Sequence, residues 1–141
     1  MKRILVVEDN EKNMYLMCYI IEAMGHRPIR AVAGEEGVEM AARERPDLIL
    51  MDIQLPGIDG LEAIERIRAS KESVSIPIIA ITSYAMTGDR ERLLAAGCNG
   101  YIEKPINSET IMAELNLFLA ETHSDAAAES ENRLIPSEEK Q

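Results

Sequence analysis

Cysteine is scarce in this sequence, and long hydrophobic runs are absent. The 141-residue chain contains two cysteines, Cys18 and Cys98, and neither belongs to a CxxC pair or lies at ligand spacing from a histidine. This disfavours a zinc site and a disulfide framework, and it fits a reducing compartment. The apolar run near the N-terminus extends only from Ile4 to Val7, which is too short for a signal peptide. Because no segment approaches the ~20 apolar residues of a membrane span, we expect a cytoplasmic protein without a membrane partner.

Basic residues are also few. The chain has 15 lysines and arginines against 25 aspartates and glutamates, which gives a formal net charge of -10. A surface that binds nucleic acid requires clustered cations that displace counterions from phosphates, so we expect no nucleic-acid partner. The acidic charge is compatible with cation binding and with basic protein partners, and it does not choose between them.

Short apolar runs alternate with helical patterns along the chain, which is typical of repeated βα units and a parallel sheet. The predicted strands cover residues 4–7, 28–32, 48–51, 78–82 and 100–103. Their continuous apolar character indicates burial on both faces. We therefore expect the α/β class, with an open, doubly wound, five-stranded parallel sheet in the flavodoxin-like order 2-1-3-4-5 and three α/β/α layers.

Three stretches between the strands carry apolar residues at helical spacing. These stripes are Met14, Met17, Ile21 and Met24; Leu61, Ile64 and Ile67; and Ile111, Leu115 and Phe118. Gly25, Pro46 and Gly97 provide helix stops, and the last helix is predicted to start at Asn107 or Ser108.

The end of the chain differs in composition from the rest. Residues 122–141 read THSDAAAESENRLIPSEEKQ and lack a periodic apolar stripe. Such a segment buries too little apolar surface to offset its chain entropy. We expect one domain over residues 1–121, followed by a flexible acidic C-terminal tail.

Acidic side chains follow two of the predicted strands. Glu8 and Asp9 come after the first strand, and Asp52 comes after the third. In open α/β sheets ligands bind at the carboxyl ends of the strands, and these three carboxylates converge if the first and third strands are neighbours. Like charges this close repel one another unless a cation shares the site. Oxygen ligands with open, water-filled positions favour Mg2+, whereas the sequence has no DxDxDG calcium loop.

Hydroxyl groups and an ammonium group are expected at the same edge of the sheet. Thr82 and Ser83 follow the fourth strand, and Lys104 follows the fifth. With the acids and a cation, they make a place where a phosphoryl group can be held against a carboxylate nucleophile.

Four stretches of the sequence resemble the receiver domains of two-component response regulators. They are LVVEDN at 5–10, LILMDIQLPGIDG at 48–60, PIIAITSYA at 77–85 and GYIEKP at 100–105, and the resemblance covers about residues 2–121. It is closest to stand-alone regulators and to receivers attached to hybrid histidine kinases. The resemblance implies a signalling protein, not an enzyme, whose phosphoryl group comes from a sensor histidine kinase or a histidine phosphotransfer protein. We expect the signal to pass to a downstream protein target without a DNA-binding domain. We also expect a monomer or a weak dimer.

The resemblance also implies a role for each acidic residue. Asp52 would be the phosphoacceptor and would take the phosphoryl group from a phosphohistidine. Glu8, Asp9, Asp52 and the backbone carbonyl of Gln54 would hold Mg2+, with Asp9 as a direct ligand and Glu8 acting through water.

Three further residues receive roles by resemblance. Lys104 would pair with the phosphoryl oxygens, with a cis bond to Pro105. Thr82 would close over the phosphate and Tyr101 would swing inward behind it, so these two residues form the expected switch. Residues 84–86 would then be presented differently to a partner.

The sequence leaves the roles of several other side chains open. Tyr15 and Tyr19, at i and i+4 of the first predicted helix, either contact the phosphodonor or fill one helix face. His26 and His123 lie away from the predicted edge and are expected at the surface, so the donor histidine belongs to a partner. Ser83 stands where a small alanine is frequent in the family, which leaves the lifetime of the acyl phosphate undetermined.

Three alternatives compete with this interpretation. The first is a receiver excised from a hybrid histidine kinase or a longer regulator. A magnesium-dependent phosphatase with an aspartyl nucleophile would need a general acid two residues after Asp52, where Gln54 is an amide. A flavin or nucleotide binder would need a glycine-rich phosphate loop after the first strand, and the sequence has none there.

Overall fold

The computed structural model describes residues 1–83 and 87–123, and along these residues five strands alternate with five helices. The elements are β1 (Arg3–Val7), α1 (Glu11–Ala23), β2 (Arg27–Ala31), α2 (Gly34–Glu44), β3 (Leu48–Asp52), α3 (Gly60–Ala69), β4 (Ile78–Thr82), α4 (Thr87–Ala96), β5 (Gly100–Glu103) and α5 (Ser108–His123). Residues 124–141 lie outside the described residues, so the flexible acidic tail stays a prediction.

The five strands form one parallel sheet in the order β2-β1-β3-β4-β5. Side chains from α1 and α5 cover one face of this sheet, and side chains from α2, α3 and α4 cover the other. The predicted strand order and the three-layer α/β/α architecture are therefore confirmed. Because β1 and β3 are neighbours, Val7 pairs with Met51, and the two chain segments that follow these residues start side by side.

The three central strands are buried on both faces, as predicted. In β1, Ile4 and Val6 point into the cluster beneath α1 and α5, whereas Leu5 and Val7 point into the opposite cluster. The same prediction is wrong for β2 and β5. These strands form the two edges of the sheet, and only Ala31 of β2 and Ile102 of β5 are buried. An edge strand has a neighbour on one side only, so apolar character alone did not ensure burial.

The predicted apolar stripes of α1, α3 and α5 pack into the core, with Met24 and Leu61 partly buried at its border. Helix α2 showed no comparable stripe in the sequence because its inward face is made of small residues. Gly34, Gly37 and Ala41 are its buried residues. A Cβ atom added to Gly37 would lie 2.7 Å from a methyl carbon of Val7. Helix α2 therefore packs closely on the sheet through small residues, and it lacks the large apolar side chains that form a recognisable pattern in the sequence.

The helix ends follow the expected chemistry. Asn10, Asp59 and Asn107 precede α1, α3 and α5, and each side chain accepts a backbone N–H hydrogen bond from the first turn. Gly25 and Gly97 follow α1 and α4 with φ angles of 88° and 120°, which favour glycine. The start of the last helix after Asn107 and these two stops are confirmed.

Arg68 fastens the edge of the sheet at which the strands begin. Its guanidinium group donates hydrogen bonds to the backbone carbonyls of Val74, Ile76 and Gly97, at 3.0, 2.7 and 2.9 Å, and to Asn99 Oδ1 at 2.9 Å. Burial lowers the pKa of this guanidinium group. The contacts join α3 to the turn before β4 and to the turn before β5.

Candidate functional site

Three carboxylates meet where β1 and β3 end. Glu8 and Asp9 directly follow β1, and Asp52 is the last residue of β3, so the pairing of the two strands brings them together. One ligand atom from each residue lies within 4.8 Å of the others. Glu8 and Asp52 are each 1% exposed, whereas Asp9 is exposed to solvent. The convergence of these acids, predicted from two separate sequence segments, is thus what the structure shows.

Glu8 is a buried member of the group with an unsatisfied carboxylate oxygen. Its Oε2 accepts a hydrogen bond from the Asn10 N–H at 3.1 Å, while its buried Oε1 has no hydrogen-bond partner among the described residues. Burial, followed by the negative charge of Asp52, raises the pKa of Glu8 from 4.5 to about 7. A hard divalent cation with oxygen ligands would satisfy the unpartnered atom and offset the repulsion. The donor set therefore fits Mg2+.

Stability without divalent cations should depend on pH through Glu8. Between pH 4.5 and about 7 the folded protein keeps a proton that the unfolded chain has lost. The free energy of unfolding should therefore fall as pH rises through this window, with a Glu8 contribution of up to about 1.4 kcal/mol per pH unit. Glu8→Gln should remove this contribution.

Urea denaturation in EDTA from pH 4.5 to 7.5 tests this prediction. The difference in stability between wild type and Glu8→Gln should change steadily with pH. Glu65→Gln, at an exposed position of α3, serves as the matched control and should follow the wild type. A Glu8→Gln difference that is flat across the range would contradict the prediction.

Lys104 and the backbone N–H of Gln54 both contact Asp52. Lys104 Nζ lies 3.1 Å from Asp52 Oδ1, which also accepts a hydrogen bond from the Gln54 N–H at 3.1 Å. The Lys104 N–H donates to the Thr82 carbonyl at 2.8 Å and ties the end of β5 to the end of β4. The predicted cis bond between Lys104 and Pro105 is confirmed.

A glycine lets the chain pass close behind Asp52. The Gly60 N–H donates to the Ile53 carbonyl at 2.9 Å, which folds the start of α3 back onto the end of β3. A Cβ atom on Gly60 would overlap the backbone carbonyl oxygen of Asp52 and would lie 2.6 Å from Ile53 Cα. The position of Asp52 therefore depends on the absence of a side chain at residue 60.

Thr82 is buried beside the acids, at the end of β4. The side chain of Gln54 reaches it: Nε2 donates to Thr82 Oγ1 at 3.4 Å, and Oε1 accepts from the Ser83 N–H at 3.3 Å. The sequence interpretation assigned only the backbone carbonyl of Gln54 to the site and missed these contacts. The one available signal was a polar residue two positions after Asp52. The role of the Gln54 carbonyl as a metal ligand stays a prediction.

Tyr101 lies partly buried on β5, with its ring against α4. The guanidinium carbon of Arg90 lies 5.3 Å from the ring centroid, which is a cation–π contact. Sequence reasoning missed Arg90, because the contact depends on how α4 crosses β5. The inward swing of Tyr101 stays a prediction, and residues 84–86 lie outside the described residues.

Tyr15 and Tyr19 occupy the solvent-facing side of α1. They are 72% and 62% exposed, and their rings stack with centroids 6.3 Å apart. Since both are exposed, they do not fill a buried helix face, and contact with a phosphodonor stays a prediction. His26 precedes β2, at the opposite edge of the sheet from the acids. It is partly buried, not a surface residue as expected, and its Nδ1 accepts the Lys2 N–H at 3.1 Å.

Within residues 1–83 and 87–123, no helix combines the length and the apolar character needed to cross a bilayer. This finding agrees with the absence of long apolar runs in the sequence.

The chain is similar in sequence and fold to known proteins. The family model for the response regulator receiver domain matches residues 4–116. The polar-differentiation response regulator DivK of Brucella anthropi is 44% identical over 120 residues, which cover 85% of this chain and 98% of that protein.

Two solved structures are also similar. One is the receiver domain of the sensor histidine kinase PA1611 from Pseudomonas aeruginosa, with a magnesium ion coordinated in its active site cleft. It is 38% identical, with a TM-score of 0.77 and coverage of 83% of this chain and 96% of that chain. The other is a CheY-like response regulator receiver domain protein from Methanospirillum hungatei. It is 30% identical, with a TM-score of 0.80 and coverage of 86% of this chain and 96% of that chain.

Proposed function

The chain belongs to the response regulator receiver domain family, a family of phospho-accepting signalling proteins, and we propose that its phosphoacceptor is Asp52. One observation carries this assignment. Asp52 is buried among Glu8 and Asp9, with Lys104 Nζ 3.1 Å from its Oδ1. Among the described residues, this is where a carboxylate, a cation-binding acid group and an ammonium group coincide.

Each side chain contributes a separate part of the transfer. Asp52 attacks phosphorus through Oδ2, because Oδ1 is engaged by Lys104 and the Gln54 N–H. The new oxygen–phosphorus bond forms as the bond between phosphorus and the imidazole nitrogen of the donor breaks, and the electron pair of that bond stays on the imidazole. Lys104 neutralises charge on the phosphoryl oxygens. No residue of this chain has to remove a proton, because Asp52 reacts as a carboxylate.

Glu8, Asp9, Asp52 and the carbonyl of Gln54 would hold Mg2+. The bound cation would supply charge neutralisation for the clustered acids and for the phosphoryl oxygens. The unpartnered Oε1 of Glu8 supports this assignment. So does the magnesium ion in the cleft of the similar PA1611 receiver domain.

The family implies a histidine kinase as partner. We propose that a sensor kinase or a histidine phosphotransfer protein supplies the phosphoryl group in the cytoplasm, and that Thr82 and Tyr101 pass the change on to a downstream protein. The DivK relatives favour output by protein contact, since the matched segment makes up 98% of their length. The similarity to the receiver of a sensor histidine kinase supports a second candidate, a receiver that works within a longer kinase.

Small-molecule phosphorylation tests the proposed function. Wild-type protein incubated with acetyl phosphate and Mg2+ should gain one phosphoryl group by intact mass, and EDTA should prevent the gain. Borohydride reduction followed by peptide mapping should place the modification at Asp52. Modification at another residue, or an equal extent of modification in EDTA, would contradict the proposal.

A further inference from the structure

The side chain of Gln54 joins two strands at the carboxyl edge of the sheet, and the phosphoryl transfer described above does not use it. Gln54 follows β3, whereas Thr82 and Ser83 lie at the end of β4. Gln54 Nε2 donates to Thr82 Oγ1 at 3.4 Å, and Gln54 Oε1 accepts from the Ser83 N–H at 3.3 Å. A carboxamide suits this position because it offers a donor and an acceptor together. We refer to these two hydrogen bonds as the Gln54 bridge.

The Gln54 bridge competes with a phosphoryl group on Asp52. A backbone N–H carries one hydrogen, so donation from the Ser83 N–H to Gln54 competes with donation to a phosphoryl oxygen. Closure of Thr82 toward Asp52 would also move the peptide that joins Thr82 to Ser83. The two contacts of the bridge already lie near the upper limit for hydrogen bonds, so this movement would break them.

The backbone of Gln54 is fixed, whereas its side chain has space to leave. The Gln54 N–H donates to Asp52 Oδ1 at 3.1 Å, and this contact does not involve the carboxamide. The side chain borders a cleft of about 310 Å³ whose apolar lining includes Ile53, Leu61 and Leu93. Loss of the bridge can therefore occur without disturbing the support of Asp52.

We propose that Gln54 is a positioning residue that holds Thr82 and Ser83 in the unphosphorylated arrangement, so that phosphorylation of Asp52 must break the Gln54 bridge. The inference rests on the proposed function, because it requires Thr82 to move toward a phosphoryl group on Asp52. Removal of the bridge destabilises the unphosphorylated arrangement only. It therefore shifts the equilibrium toward the phosphorylated arrangement before any phosphoryl group is present.

Gln54→Met tests the inference, because methionine keeps the length of the side chain and removes both hydrogen bonds. Beryllium fluoride with Mg2+ serves as the probe, as an analogue of the phosphoryl group. The full chain carrying Gln54→Met should bind the analogue about 3- to 10-fold more tightly than wild type, which corresponds to the loss of one or two modest hydrogen bonds. In the variant without the analogue, the Ser83 amide resonance should move toward its position in analogue-bound wild type.

Ile58→Met is the matched control. It places the same side chain in the same loop between β3 and α3, and it should leave both the affinity and the Ser83 resonance unchanged. Unchanged or weaker binding by Gln54→Met, with an unmoved Ser83 resonance, would overturn the role of Gln54 while wild type still binds the analogue. If wild type fails to bind the analogue in Mg2+, the proposed function fails and the role of Gln54 fails with it.

Discussion

Asp52→Asn should abolish phosphorylation by acetyl phosphate in Mg2+. An amide oxygen carries no negative charge and attacks phosphorus poorly. The initial rate measured by intact mass should therefore fall by at least about 1,000-fold, equivalent to about 4 kcal/mol in the activation barrier. Neither neighbouring acid replaces Asp52, because neither has Lys104 within ion-pair distance in the described part of the chain.

Asp59→Asn provides the matched control for this substitution. Asp59 lies seven positions further along, in the loop between β3 and α3, and its side chain caps α3 by accepting the Glu62 N–H at 3.0 Å. Asparagine is an equally good N-cap residue, so the variant should fold and accept a phosphoryl group at the wild-type rate. Equal modification of Asp52→Asn and wild type would show that another residue is the phosphoacceptor.

Gly60→Ala should destabilise the protein more than any ordinary surface substitution. The added Cβ atom would overlap the carbonyl oxygen of Asp52 and would lie 2.6 Å from Ile53 Cα. Both obstacles are backbone atoms and neither can rotate away, so we expect a loss of about 3 kcal/mol in the free energy of unfolding. Because the displaced atoms support the phosphoacceptor, phosphorylation of the folded fraction should slow as well.

Gly88→Ala tests whether the loss comes from crowding. Gly88 also lies in the first turn of a helix, α4, and a Cβ atom there would meet no atom of the described residues within 4 Å. Alanine has a higher helix propensity than glycine, so this variant should be as stable as wild type or more stable by up to about 1 kcal/mol. Urea denaturation of both variants decides the point. A Gly60→Ala protein within about 1 kcal/mol of wild type would contradict the role assigned to the close approach at residue 60.

The sequence predicted the features that depend on chain order and on local pattern. Buried strands show as continuous apolar runs, and parallel strands bring their carboxyl ends to one edge. Together with the expected strand order 2-1-3-4-5, these two facts placed Asp9, Asp52 and Lys104 at the same edge. Helix α2 gave a weak signal because its buried residues, among them Gly37 and Ala41, are small. They let the helix backbone lie close to the sheet, and no large apolar side chains mark this face in the sequence. Burial of β2 and β5 was overestimated because the pattern does not show which strand lies at an edge.

The contacts that the sequence could not predict depend on side-chain conformation across elements. The approach of Arg90 to Tyr101 follows from the angle between α4 and β5. The Gln54 bridge follows from the separation between the ends of β3 and β4. A local sequence pattern predicts neither this separation nor the angle between α4 and β5. The unpartnered oxygen of Glu8 is likewise a property of the folded site, because it results from burial beside Asp52.

Arg68 donates hydrogen bonds to four backbone carbonyls at the end of the sheet farthest from the acids. The molecule thus has a fixed end and an adjustable end, separated by the length of the strands. We therefore expect substitutions around Arg68 to change the melting temperature more than the response to phosphorylation, and substitutions in the loops at the opposite end to do the reverse.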